Sequence, residues 1–249
     1  MLNSLTFGDT GRPLVIAHGL FGSARNWGVI AKRMAQTRRV ICVDMRNHAG
    51  SFWSDDMSYE AMARDLTEVL EDVEGADLLG HSMGGKAAMV AALNGAPIRR
   101  LVVADIAPVS YTHTQAHLID AMEALDLSTI TTRSDADAAL SSQVEEAAVR
   151  AFLLQSLDVR AGRWSLNLSA LRASMGAIIG FPEITSSAAL PTLFLSGTLS
   201  DYVQPEVRPR IKALFPAAKF AKIPGAGHWL HAEKPREFEA AIKAFLEAE

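Results

Sequence analysis

Ala76-Asp77-Leu78-Leu79-Gly80-His81-Ser82-Met83-Gly84-Gly85-Lys86 runs from a short apolar segment into small residues that continue to Leu93. The pattern G-x-S-x-G has chemical meaning where a strand turns sharply into a helix. The flanking residues predict that context, with a strand over Ala76–Leu79 and a helix over Gly85–Leu93. A side chain at such a bend leaves through a narrow space. Gly80 and Gly84, two residues to either side of Ser82, remove the Cβ atoms that would clash there. The bend lifts a hydroxyl clear of the sheet and sets it at a helix N-terminus, where unpaired N–H groups favour negative charge. An activated serine beside an anion-stabilising site points to acyl transfer.

Outward from this turn, Pro13–Ala17 and Arg39–Asp44 read as buried strands. Helical patterns follow them near Trp27–Ala35 and over Tyr59–Val73, the second with Ser58 as its cap. Beyond the serine comes a strand over Arg100–Ala104. These apolar runs are continuous rather than alternating, so both faces of each strand are covered, as in a parallel sheet with crossover helices. The rhythm then breaks. From Pro108 to Ala189 the chain reads as helix or loop, with helices expected after a Ser134 cap, over Glu145–Leu154 and over Leu168–Ile178. It resumes with a strand over Leu193–Leu195, a helix near Pro205–Leu214, a strand over Phe220–Ile223 and an amphipathic helix over Arg236–Leu246. The fold class is therefore α/β, a mostly parallel sheet flanked by helices. Residues 1–107 and 190–249 form the core, and 108–189 an inserted helical cap.

The 249 residues suffice for one such core with its insertion. A hydrophobic fraction of 49% excludes disorder. A net charge of −4 with both signs interspersed leaves no footprint for nucleic acid or an anionic membrane. No apolar run approaches the roughly 18 residues that a membrane span needs. The N-terminal residues lack a basic region followed by an apolar core, so no secretory signal is expected and the cytoplasm is the expected compartment. The single cysteine, Cys42, lies in the apolar run Val40–Val43 and is expected to be a buried strand residue. With no second cysteine, the chain suits a reducing compartment. No cofactor or metal is expected.

A serine hydroxyl needs a base, and the base needs an orienting acid. His228, in Gly225-Ala226-Gly227-His228-Trp229 after the last predicted strand, is the candidate base, because its glycines let the loop bring an imidazole inward. Two aspartates compete for the acid. Asp105 ends the strand after the serine's own unit, and Asp201 follows the strand preceding His228. Both lie at C-terminal strand ends, where open α/β sheets place their sites. His18-Gly19-Leu20-Phe21-Gly22 follows the first core strand. Such a turn contributes one N–H to an oxyanion hole and the residue after the nucleophile the other, which nominates the backbones of Leu20 and Met83. Phe21, Trp229 and Met122 are candidate lining residues of an acyl pocket. Arg160, Arg163 and Arg172 are candidate contacts for an anionic carrier such as coenzyme A.

HGLFGS..NW (18–27), DMRNHAGS (44–51), GHSMGGK (80–86), DIAPVSY (105–111) and GAGHWLHAEKP (225–235) together resemble the YbfF-type esterases of the α/β-hydrolase superfamily. The match spans both ends of the chain and skips most of the cap. The resemblance implies an α/β-hydrolase fold and a serine esterase with Ser82 as nucleophile, His228 as base and Asp105 as acid. It also implies that Ser200 joins their network. Two departures stand out. Asp201 matches the more widespread acid position of the superfamily, and Ala49 replaces a family glycine, with Gly50 expected to take over the turn. The expected activity is hydrolysis of a carboxylic ester or thioester of a small to medium acyl group through an acyl-enzyme. The alternative is a carbon–carbon bond hydrolase or lyase using the same triad.

Overall fold

A computed structural model describes residues 1–248. Its strands are β1 (Ser4–Phe7), β2 (Leu14–Ala17), β3 (Val40–Val43), β4 (Ala76–His81), β5 (Ile98–Ala104), β6 (Leu157–Asp158), β7 (Arg163–Trp164), β8 (Thr192–Gly197) and β9 (Ala218–Ile223). Its helices are α1 (Gly28–Met34), α2 (Tyr59–Asp72), α3 (Met83–Leu93), α4 (Ala116–Glu123), α5 (Arg133–Leu140), α6 (Ala147–Leu153), α7 (Leu168–Ala173), α8 (Met175–Ile179), α9 (Arg208–Leu214), α10 (Leu230–Glu233) and α11 (Pro235–Leu246).

One sheet has the order β1-β3-β2-β4-β5-β8-β9. It is parallel except for β1, which runs antiparallel at the edge. The six parallel strands are the six predicted ones, shifted at their ends by at most two residues. Strand β1 was not predicted. It is short and mostly exposed, so its sequence carries no apolar run. The chain travels from β2 to β3 on one side of the sheet, then crosses to β4 on the other side of β2. The loops leaving β2 and β4 therefore open onto one crevice, the position where parallel sheets place their sites.

Burial on both faces explains the continuous apolar runs. Val15, Leu78, Val103 and Phe194 pack towards α2, α3 and the insertion. Their strand neighbours Ile16, Leu79, Val102 and Leu195 pack towards α1 and α11, where Ile30, Phe238 and Ile242 receive them. Helix α3 is buried along its whole length, which its alanines and glycines permit. Ser58 caps α2, its hydroxyl accepting the Ala61 N–H at 3.2 Å.

Between β5 and β8 the chain carries α4 to α8 and the two-stranded β6–β7 ribbon, and contributes no strand to the large sheet. The cap predicted at Ser134 lies instead at Thr132. The Thr132 hydroxyl accepts the Asp135 N–H at 3.1 Å while the Asp135 carboxylate accepts the Thr132 N–H at 2.7 Å. That reciprocal pair starts α5 earlier than its apolar pattern does. The helix predicted over Leu168–Ile178 divides at Ser174 into α7 and α8.

The turn at residues 48–50 also corrects the sequence reading. Ala49 itself adopts the left-handed conformation, with φ 45°. Gly50 does not; a Cβ there would meet the Asn3 side-chain amide at 2.6 Å, so Gly50 serves close approach. Because a left-handed alanine costs roughly 1 kcal/mol, Ala49→Gly is expected to stabilise the fold by about that amount, read as a rise in the urea midpoint at unchanged slope.

Candidate active site

Strand β4 ends at His81 and α3 begins at Met83, leaving Ser82 alone in the bend at φ 53°, ψ −120°. The two glycines are required by proximity. A Cβ at Gly80 would be driven into the backbone of Gly84 and Gly85, and one at Gly84 into the carbonyls of Ala17 and His18. With backbone on the receiving side, neither can shift aside. Gly84→Ala is expected to cost about 3 kcal/mol or more, measured as the fall in unfolding free energy.

The Ser82 hydroxyl donates to His228 Nε2 at 3.1 Å, and His228 Nδ1–H donates to Asp105 Oδ2 at 2.7 Å. A carboxylate only accepts, so the proton of the neutral imidazole sits on Nδ1 and Nε2 faces the serine. Asp105 is fully buried and its φ of 52° marks a second strained turn, directly after β5. Its Oδ1 accepts the Gly197 N–H at 3.1 Å, and Oδ2 also accepts the Ser200 hydroxyl at 2.5 Å. Asp201 is exposed, and its carboxylate has no hydrogen bond or ion pair among the described residues. The loop after β8 thus turns Ser200 inward and Asp201 outward, and the structure brings together Ser82, His228 and Asp105 without Asp201.

The loop after β2 lies against the serine: a Cβ at Gly19 would stand 3.1 Å from Ser82 Cβ. Neither the Leu20 nor the Met83 N–H donates to a protein acceptor among the described residues. Both border the cavity beside Ser82. Two buried histidines that the sequence left without a role hold this loop. His18 Nδ1–H donates to the Gly19 carbonyl at 2.7 Å, and its Nε2 accepts the Met45 N–H at 2.9 Å. His48 Nδ1–H donates to the Arg46 carbonyl at 2.8 Å, and its Nε2 accepts the Phe21 N–H at 3.2 Å. Burial pushes the pKa of His18 down to about 4 and that of His48 to about 3. His81, beside the serine, and His231, stacked on Trp27 at 4.2 Å, are also held neutral by burial.

A cavity of about 460 Å³ opens over Ser82. Phe21 and Trp229 line it from the core, and Val149, Phe152 and Ile178 from the insertion. Met122 does not. It is buried inside the insertion, where its carbonyl accepts the Trp164 indole N–H at 3.0 Å, so it packs α4 rather than facing the cavity. The three arginines also lie elsewhere. Arg172 pairs with Asp120 at 2.7 Å and Glu123 at 2.6 Å, while Arg160 and Arg163 are exposed and do not line the cavity.

Lys86, one helical turn beyond Ser82, carries a contact that its sequence gives no sign of. Its buried ammonium donates to the carbonyls of Ile179 at 2.9 Å and Gly180 at 2.5 Å, and sits 4.7 Å over the Tyr111 ring. Tyr59 donates to the neighbouring Ile178 carbonyl at 2.6 Å. Together they tie the end of α8, a wall of the cavity, to α2 and α3. Burial pushes the Lys86 pKa down to about 7. Cys42 is buried in β3, and its thiol is pushed up to about 12, mainly by burial, so it is no nucleophile at neutral pH. Among the described residues no cluster of three His, Cys, Asp or Glu is arranged to hold a metal, and no helix is long and apolar enough to cross a membrane.

Relatives agree with this architecture. The chain is 44% identical to the sn-1-specific diacylglycerol lipase ABHD11 of Mus musculus, over 98% of this chain and 84% of that one. It is 41% identical to the esterase YbfF of Escherichia coli, over 94% of this chain and 92% of that one. A solved esterase from a marine microorganism superimposes with a TM-score of 0.92 at 38% identity, covering 98% of both chains. Residues 14–241 match the alpha/beta hydrolase family as a whole, and the chain belongs to that family.

Proposed function

We propose that this protein is a serine hydrolase that cleaves carboxylic esters of small to medium acyl groups, thioesters included, through an acyl-enzyme on Ser82. The observation that carries the reading is the unbroken hydrogen-bonded line from Asp105 through His228 to Ser82 at the floor of a largely apolar cavity. Relatives named esterase and lipase at this level of identity support an ester as the substrate class.

Ser82 Oγ attacks the acyl carbonyl carbon while His228 Nε2 takes its proton. The imidazolium that forms is held by Asp105, which keeps its own charge. The free N–H groups of Leu20 and Met83 receive the oxyanion. Collapse of this intermediate expels the alcohol or thiol with the proton from His228. Water then enters, loses a proton to His228 and releases the acid. Phe21 and Trp229 line the acyl pocket in this reading. Residues 108–189 act as the cap that closes the cavity over the acyl group, and Cys42, a lone buried thiol, suits a reducing compartment such as the cytoplasm.

The test is covalent. A p-nitrophenyl alkylphosphonate, which mimics the tetrahedral intermediate, is expected to release one p-nitrophenol per chain and leave its phosphonyl group on Ser82, located by peptide mass. The same protein is expected to turn over p-nitrophenyl butyrate. A label on another residue, or no turnover of p-nitrophenyl esters from acetate to decanoate, overturns the reading.

A further inference from the structure

Tyr202 lies flat on the His228 imidazole, with ring centroids 4.1 Å apart and planes inclined by 18°. The imidazole also meets the His81 ring at 4.7 Å and a 40° tilt, and His81 Nε2–H donates to the His228 carbonyl at 2.9 Å. We propose that Tyr202 is a positioning residue for the base, holding the imidazole in line between Asp105 and Ser82 and stabilising the imidazolium face-on. The inference rests on the ester-hydrolase reading above and adds to it a residue that the triad pattern does not contain.

Tyr202 is held from several directions at once. Its N–H donates to Ser200 Oγ at 3.3 Å, the same hydroxyl that donates to Asp105. Its carbonyl accepts the Tyr111 hydroxyl at 2.8 Å, and that hydroxyl also accepts the Ala107 N–H at 2.9 Å. Its own hydroxyl lies 2.8 Å from His113 Nε2. The first two contacts fix the backbone that carries the ring, and the third holds the tip of the ring itself. The segment Ser200–Tyr202 thus supports both halves of the acid–base pair, with Ser200 on the carboxylate and Tyr202 on the imidazole.

The chemistry gives this stack a direction. An aromatic face attracts a cation, and within six ångströms or so the attraction is appreciable. The imidazole gains positive charge as it takes the Ser82 proton. The stack therefore gains strength on the way to the transition state, and an interaction of that kind raises kcat rather than lowering KM.

The experiment compares Tyr202→Phe and Tyr202→Leu in the full chain, with p-nitrophenyl butyrate as substrate. Tyr202→Leu, still apolar but with no π face, is expected to lower kcat by roughly 3- to 30-fold with KM within about twofold of the parent. Tyr202→Phe keeps the ring and is expected to recover kcat to within about threefold. In parallel, proton NMR of histidine-labelled protein reads the stack without turnover. The His228 ring protons are expected upfield in the parent and in Tyr202→Phe, and further downfield in Tyr202→Leu. A rise in KM at constant kcat, equal losses in both variants, or ring-proton shifts indifferent to the substitution would overturn the proposal. Absence of ester turnover in the parent would instead defeat the underlying reading, while the NMR comparison still reported on the stack.

Discussion

Asp105→Asn is expected to lower kcat for p-nitrophenyl butyrate by about ten-thousandfold, whereas Asp201→Asn leaves it within about threefold. The amide keeps the shape of the carboxylate but can present an N–H to His228 Nδ1. The imidazole then carries its proton on Nε2, facing Ser82, and no longer accepts from the nucleophile. It also loses the charge that stabilises imidazolium. Asp201 is exposed and its carboxylate makes no hydrogen bond or ion pair with His228 among the described residues, so its replacement changes only a solvated charge. Ser82→Ala, which removes the proposed nucleophile, is expected to lower kcat by about a millionfold. Steady-state rates at pH 8, with circular dichroism to confirm that each variant is folded, check all three. A larger loss for Asp201→Asn than for Asp105→Asn would show that the loop after β8 supplies the acid.

The second large effect is on stability in acid. His18, His48, His81 and His231 are buried and neutral, and desolvation is the leading cause of each lowered pKa. For His18 and His48 the hydrogen bonds show what protonation breaks, because each Nε2 accepts a backbone N–H and a second proton there would face a donor. His231 has a buried Nδ1 with no hydrogen-bond partner among the described residues. In the unfolded chain all four titrate near the ordinary value of about 6.5. Below that pH the unfolded state binds protons that the folded state does not, so stability is fully present above about pH 6.5 and is lost as the pH falls towards 4. Each proton contributes about 1.4 kcal/mol per pH unit, and the four together reach roughly 5 kcal/mol per unit. Against a total stability of about 5–15 kcal/mol, unfolding is expected near pH 5. Urea midpoints measured from pH 8 to pH 5 read this directly. His231→Phe keeps the ring on Trp27 and should reduce the slope by about one proton. A midpoint that stays level down to pH 5 would contradict the reading.

These histidines also mark the limit of what the residues alone disclose. Ser82 and His228 were legible because each stands in a local pattern, a strand–turn–helix for one and a glycine-rich loop after a strand for the other. Asp105 and Asp201 were equivalent by that measure, since each lies past the C-terminal end of a strand, and only the family resemblance favoured Asp105. The structure separates them by the direction in which one loop turns. Met122 was misread for a related reason. Helical spacing shows that a residue faces inward, but not whether it faces the interior of the insertion or the cavity beneath it. His18 and His48 gave no signal, because a histidine that bonds two backbones from different loops looks like any other in sequence.

The sequence by itself determined the order of the parallel strands along the chain, the crossing helices between them and the bend that carries Ser82. Those features depend on periodicity and on the conformational demands of a few glycines, which act within about ten residues. Only the tertiary structure decided which carboxylate reaches His228, that His18 and His48 hold the loop after β2, that Lys86 ties the end of α8 to the core and that Tyr202 covers the His228 ring. Each of these pairs residues far apart in the chain, from 26 positions for Tyr202 and His228 to 123 for Asp105 and His228. Contacts at that range are set by how the sheet and the insertion pack, and packing is a property of the whole chain rather than of any segment in it.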